Sequence, residues 1–230
     1  MRKIFLFIFI ILTLAAGAQS SSVQIHLRSG VSIPLLEFTS NDLKDGCFTQ
    51  TGISTSLAIS SQIYKQWGIV LQSGFQLHPV SVGILGYEKV KNDPFLLDIT
   101  IRSEPYQIIH FAGGPSYTFF PVPKLRLSFI ALAGMFLSKT PYQLHKPTYF
   151  LTGPPYYEIT SSRDRSFAYG TGFNLGYNIT SCYEIGVEGD LLRSKAGFSF
   201  ISANGLRTDF KQITMLNLSV VLVLKVPYNR

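Results

Sequence analysis

Between residues 167 and 190 apolar and polar positions alternate. Phe167, Tyr169, Phe173, Leu175, Tyr177 and Ile179 are set against Ala168, Gly170, Gly172, Asn174, Gly176 and Asn178. After a polar break at 180–182, Tyr183, Ile185, Val187 and Leu191 oppose Glu184, Gly186, Glu188 and Asp190. A period of two marks strands with one apolar face. A soluble antiparallel sheet also alternates this way. Each run here, however, exceeds the usual strand of about 5–6 residues, and aromatics mark both ends of the apolar face, as in transmembrane barrel strands.

The pattern recurs and predicts strands over Val23–Leu35, 48–61, 67–79, 106–120, 125–139 and 211–226, eight in all with the 167–190 hairpin. In the first, Ile25, Leu27, Val31 and Ile33 oppose His26, Arg28, Gly30 and Ser32. Residues 36–46 read as a polar loop built on the turn formers Asn41-Asp42 and Lys44-Asp45-Gly46. An excursion over 80–104 contains an alternating piece, 95–102, that lengthens the next strand beyond the bilayer. Pro121-Val122-Pro123-Lys124 turns sharply, 140–166 is the longest loop and ends in Arg163-Asp164-Arg165, and a further loop is expected near 202–209.

Tight and longer connections therefore alternate, the layout of an up-and-down barrel with short periplasmic turns and long outer loops. The soluble rival is a lipocalin-like barrel. It would crowd Trp67, Phe75, Phe129, Phe173 and Tyr177 into a lumen only just wide enough for modest side chains, whereas the Gly, Ser, Ala and Asn set fits inside. The expected fold is all-β: an eight-stranded antiparallel up-and-down transmembrane β-barrel. Leu71, Phe75, Phe111, Phe129, Phe173, Leu175, Val187, Leu218 and Leu222 should face lipid, and Trp67, Phe119, Tyr177 and Tyr183 should form the periplasmic girdle.

The start of the chain sets its address. Arg2 and Lys3, an apolar run over 4–14 and Ala16-Gly17-Ala18 form a secretory signal peptide, 1–18, cut after Ala18. The run is shorter than the ~20 residues a spanning helix needs, so 19–230 is the barrel domain and the outer membrane of a Gram-negative bacterium its location. The formal charge of +7 becomes +5 without Arg2 and Lys3 and is scattered, so no nucleic-acid footprint is seen. A mean hydropathy of +0.23 with no apolar helix fits hydrophobicity spread over strands. Cys47 and Cys182 make no disulfide framework. They are expected at opposite ends of a band ~25 Å tall, beyond the ~7 Å a disulfide allows.

No catalytic constellation emerges. Gly170, Gly172 and Gly176 lack dinucleotide-loop spacing and context. His26, His78 and His110 fall on inner faces, and His78 with His110 lacks a third ligand, so neither metal nor cofactor is expected. Glu184, Glu188 and Asp190 have the look of paired acids for glycoside chemistry, but read more simply as partners of lumenal Arg28, Arg126 and Lys225. The expected register sets Glu184 opposite Lys225 and brings Arg28 across the closing seam to Glu188 or Asp190, plugging the barrel with an ionic network.

Residues Trp67–His78 (WGIVLQSGFQLH), 111–120 (FAGGPSYTFF) and the Gly-rich 169–176 resemble the eight-stranded outer-membrane β-barrel family of Bacteroidetes-type bacteria, the porin-family or PorT-like proteins. The resemblance implies a fold more than an activity. The expected function is non-enzymatic: a structural, envelope-stabilising or ligand-binding barrel acting through its extracellular loops. The alternatives are an outer-membrane lipid-modifying enzyme, for which Ser138 or Ser166 with His145 is the best set, or a narrow porin-like channel for small solutes. Expected partners are outer-membrane lipid, the barrel-assembly machinery during insertion, and an extracellular or envelope protein.

Overall fold

The computed structural model describes residues 23–202 and 205–226; the expected signal peptide, 1–18, lies outside them. Eight antiparallel strands close into a ring: β1 Val23–Leu35, β2 Gly52–Tyr64, β3 Trp67–His78, β5 Tyr106–Val122, β6 Leu125–Lys139, β9 Arg163–Asn178, β10 Tyr183–Ser202 and β11 Gly205–Val226. Each pairs with its neighbour in the chain order of the ring, and β1 closes on β11, Val23 opposite Val226 and Leu35 opposite Thr214. Inward glycines leave no room for a side chain at several points of the wall. At Gly170 a Cβ would run into the Leu191 carbonyl, a backbone group with no room to give.

Alternation decides the two sides. Leu71, Phe75, Phe111, Phe129, Phe173, Leu175, Val187 and Leu222 are exposed on the outside, while Leu218 there is half-buried. A closed ring of eight strands with this apolar outer belt is a membrane-spanning barrel of the outer-membrane type, and the protein resides in the outer membrane of a Gram-negative bacterium. At the end with short turns, Trp67 packs edge-on against Tyr117 (5.2 Å between centroids), and Phe119 stacks on Phe129 (6.1 Å). Tyr177 and Tyr183 continue this periplasmic girdle. No described helix is long and apolar enough to cross a membrane.

Several boundaries differ from the sequence reading. The second strand begins at Gly52, not at 48: Phe48 has φ 54° and its N–H donates to the Ser40 carbonyl, which holds it in the loop. The loop expected near 202–209 is instead ladder, because β10 and β11 stay paired to Ser202 opposite Gly205. These strands have 20 and 22 residues, whereas a span needs about 9–11. The hairpin thus runs on for roughly 30 Å of strand past the belt at ~3.3 Å per residue.

The excursions also contain more structure than the pattern showed. A helix, α1 Val82–Asn92, follows β3 and buries Leu85 near Phe48 and Ile101. The alternating piece after it is β4, Leu96–Ser103, which pairs with β7, Gln143–Tyr149, and β7 pairs in turn with the short β8, Tyr157–Ile159. Ser103 lies opposite Gln143 and Gln107 opposite Lys139, so both pairs sum to 246 and β4–β7 keeps the register of β5–β6. The piece read as lengthening the next strand does so, as a ribbon above the rim. Arg163-Asp164-Arg165, read as the end of a loop, opens β9.

Cys47 is buried in the outer loop and Cys182 is exposed in the periplasmic turn; both are free. Burial pushes the Cys47 thiol above its ordinary pKa. In the folded barrel a thiol reagent should therefore label Cys182 rapidly and Cys47 only after denaturation. Equal labelling rates in the native state would contradict the packing of the outer loop.

Candidate functional site

The ring brings six charged side chains together inside the periplasmic half of the barrel. Alternation turns Arg28 of β1, Arg126 of β6, Glu184, Glu188 and Asp190 of β10 and Lys225 of β11 inward, and all but Lys225 are nearly inaccessible. Arg126 grips Glu184 through Nε (2.8 and 3.1 Å to the two oxygens) and through Nη2 (2.7 Å). Lys225 Nζ reaches the other Glu184 oxygen at 2.9 Å. Arg28 holds both remaining acids, Glu188 at 2.7 Å and Asp190 at 3.3 Å.

Two amides that the sequence reading left out join these groups into one network. Asn174 of β9 accepts from Arg126 Nη2 (3.1 Å) and donates to Glu188 (3.0 Å). Gln72 of β3 accepts from Arg28 (2.6 Å) and donates to Asp190 (3.3 Å). Their signal was their inward phase, on β9 among small residues and on β3 beside Gln76 and His78. Three cations, Arg28, Arg126 and Lys225, face three carboxylates, so the network is neutral as a set. That neutrality matters because an unpaired buried charge costs several kcal/mol, ~3–5 when one partner is removed. Glu184 stands opposite Val223, not Lys225; the register differs by two residues from the one expected, and a shift of two leaves every side chain on its face.

Above this layer the inner face keeps buried polar residues such as Gln76, His78 and His110 but adds large apolar ones, where only small and polar residues were expected. Ile108, Leu132, Phe136, Leu192, Phe198, Ile213 and Met215 form a core between the walls. Phe38, from the turn after β1, drops into its top and packs edge-on against His78 and Tyr106, 5.1 and 5.6 Å between ring centroids. The stretch 36–46 is thus a plug as well as a loop, and Phe38 was its one large aromatic. A cavity of about 30 Å³ lies in the periplasmic half of the lumen beside His26, Arg126 and Asn174, room for about one or two waters.

The remaining candidates stay apart. His26 bonds Ser60 (2.8 Å), His78 bonds Ser32 (3.1 Å) and His110 bonds Gln76 (2.8 Å). Among the described residues no three His, Cys, Asp or Glu side chains stand close enough to hold a metal ion. Ser166 accepts from Ser194 (2.7 Å), whereas Ser138 is on β6, opposite Ile108, and His145 is on β7, opposite Ile101 of β4. There His145 bonds Gln143 (3.0 Å) and stacks on Tyr157 (4.7 Å). Burial, then the nearby Lys89, lower its pKa to about 4, so it is neutral at physiological pH. Gly170, Gly172 and Gly176 lie along strand β9, with no helix following them.

The extracellular mouth is a cup of about 360 Å³. Phe48, Tyr106 and Phe198 line its apolar side, and Lys44, Lys89, Arg207 and Lys211 bring four cations to it against the one carboxylate of Asp209. The ribbons around it carry exposed Phe150, Tyr156 and Phe210.

No family model and no curated protein sequence matches the chain. Solved structures are similar to it at low identity. Neisserial surface protein A is similar with 10% identity and a TM-score of 0.46, covering 90% of this chain and 97% of its own. The attachment invasion locus protein of Yersinia pestis has 13% identity and a TM-score of 0.41, over 90% and 99%. A major outer membrane protein from Thermus thermophilus has 10% identity and a TM-score of 0.49, over 90% and 100%.

Proposed function

We propose that this protein is a structural, envelope-stabilising or ligand-binding outer-membrane barrel that works through its extracellular face and not by catalysis or by passing solutes. The observation that carries this reading is the filled lumen beneath a structured exterior. A neutral ionic network and an apolar core occupy the inside, while the β4–β7–β8 sheet and the β10–β11 hairpin stand above the rim around a cationic cup. The membrane lipid holds the belt, and a partner from outside the cell or from the envelope meets the ribbons. Kinship with the PorT-like, porin-family barrels of Bacteroidetes-type bacteria, which Trp67–His78 resembles, belongs to the same reading.

The test separates the exterior from the barrel. Residues 146–158 are replaced by a short Gly-Ser turn, leaving β5 and β6 paired as before. The variant should insert and keep its heat-modifiable mobility, yet fail to restore detergent resistance to a deletion strain that the full chain rescues. Full rescue by the shortened chain would move the function from the ribbons to the barrel wall.

A further inference from the structure

On the outer surface, ten residues separate the periplasmic girdle from the last apolar position on three neighbouring strands: Phe119 to Ile109 on β5, Leu127 to Leu137 on β6, and Tyr177 to Phe167 on β9. At ~3.3 Å per residue and a tilt of ~40°, ten residues climb ~25 Å, the height of the lipid belt. The next outward residue therefore stands at the level of the outer headgroups. On β5 it is the neutral Gln107, but on β6 and β9 it is cationic, Lys139 and Arg165, with Arg163 one step higher.

Register makes this concentration of charge unusual. Lys139 lies directly opposite Arg163, and Arg165 opposite Leu137. Like charges facing each other across a strand pair are destabilising unless something lies between them. Glu104 reaches Lys139 at 3.3 Å, but both are solvent-accessible. Asp164 accepts the Gly197 N–H through one carboxylate oxygen at 2.8 Å and lines the same cleft as the three cations. Neither Arg163 nor Arg165 has an ion pair among the described residues. Beneath these cations runs an outward cleft of about 680 Å³ with Phe75, Ile109 and Leu137 on its apolar side.

We propose that this cleft binds a phosphorylated lipid of the outer leaflet. Its phosphate sits between Arg163, Arg165 and Lys139, where guanidinium groups offer paired N–H donors to phosphate oxygens. An acyl chain runs down over Leu137, Ile109 and Phe75. The apolar side selects a lipid over a free anion, and the cations select a phosphorylated lipid over a neutral one. The site is on the barrel wall and is independent of the extracellular reading above.

Native mass spectrometry of the purified barrel with added diphosphoryl lipid A tests the assignment, folding being checked by heat-modifiable mobility. The wild type should retain one lipid through activation. The combined variant Lys139→Gln, Arg163→Gln, Arg165→Gln should retain it about tenfold less or worse, and excess inorganic phosphate should not displace it from the wild type. Equal retention by the variant, or displacement by inorganic phosphate, would overturn the proposal. Should the variant fail to fold, the wild type alone decides: fully dephosphorylated lipid A should be retained at least about tenfold less, and equal retention would reduce the cleft to a greasy surface.

Discussion

Replacing Arg28 with alanine is expected to destabilise the folded barrel by about 3–5 kcal/mol, measured by urea unfolding in lipid vesicles. Arg28 is the sole ion-pair partner of both Glu188 and Asp190 among the described residues. Its loss leaves two nearly inaccessible carboxylates facing only the amides of Asn174 and Gln72. Adding Glu188→Gln and Asp190→Asn removes the stranded charges and should recover more than half of the loss. If the single variant were as stable as the wild type, the network would be contributing nothing to the closure of the lumen.

The second large effect is expected in the apolar layer. Phe136 projects from β6 fully buried, within a cluster that includes Ile108, Leu132 and Leu192. Phe136→Ala removes a ring and leaves a cavity that paired strands cannot collapse to fill, a change that typically costs 3–5 kcal/mol, or about that here. Phe129→Ala, on the outer face seven positions back, exchanges ring contacts for lipid contacts and should cost much less in the same assay. Equal losses at the two positions would contradict the assignment of inside and outside.

Those two positions also show what was readable in the chain. Alternation told Phe129 to face out, and it told Arg28, Arg126, Glu184, Glu188, Asp190 and Lys225 to face in, because a strand leaves a side chain only two directions. The same phase also turns Phe136 of β6 and Phe198 of β10 inward, large apolar residues where small and polar ones were expected. In the outer half, beneath Phe38, the inner face mixes Ile108, Phe136 and Ile213 with Gln76, His78 and His110, so the contrast between the two faces fades. Register was hidden for a related reason. Pairing Glu184 with Val223 or with Lys225 keeps the same faces, so only the packed structure distinguishes them. The ribbons were hardest to read, since above the rim the lipid that enforces alternation is gone, and β4, β7 and the upper part of β10–β11 have mixed faces.

The filled lumen is the centre of this account, and planar-bilayer recording of the refolded protein tests it directly. With the ionic network intact below and Phe38 seated above, the wild type should insert and show no resolved channel openings. A large, stable conductance from folded, heat-modifiable protein would contradict the account and make the barrel a pore.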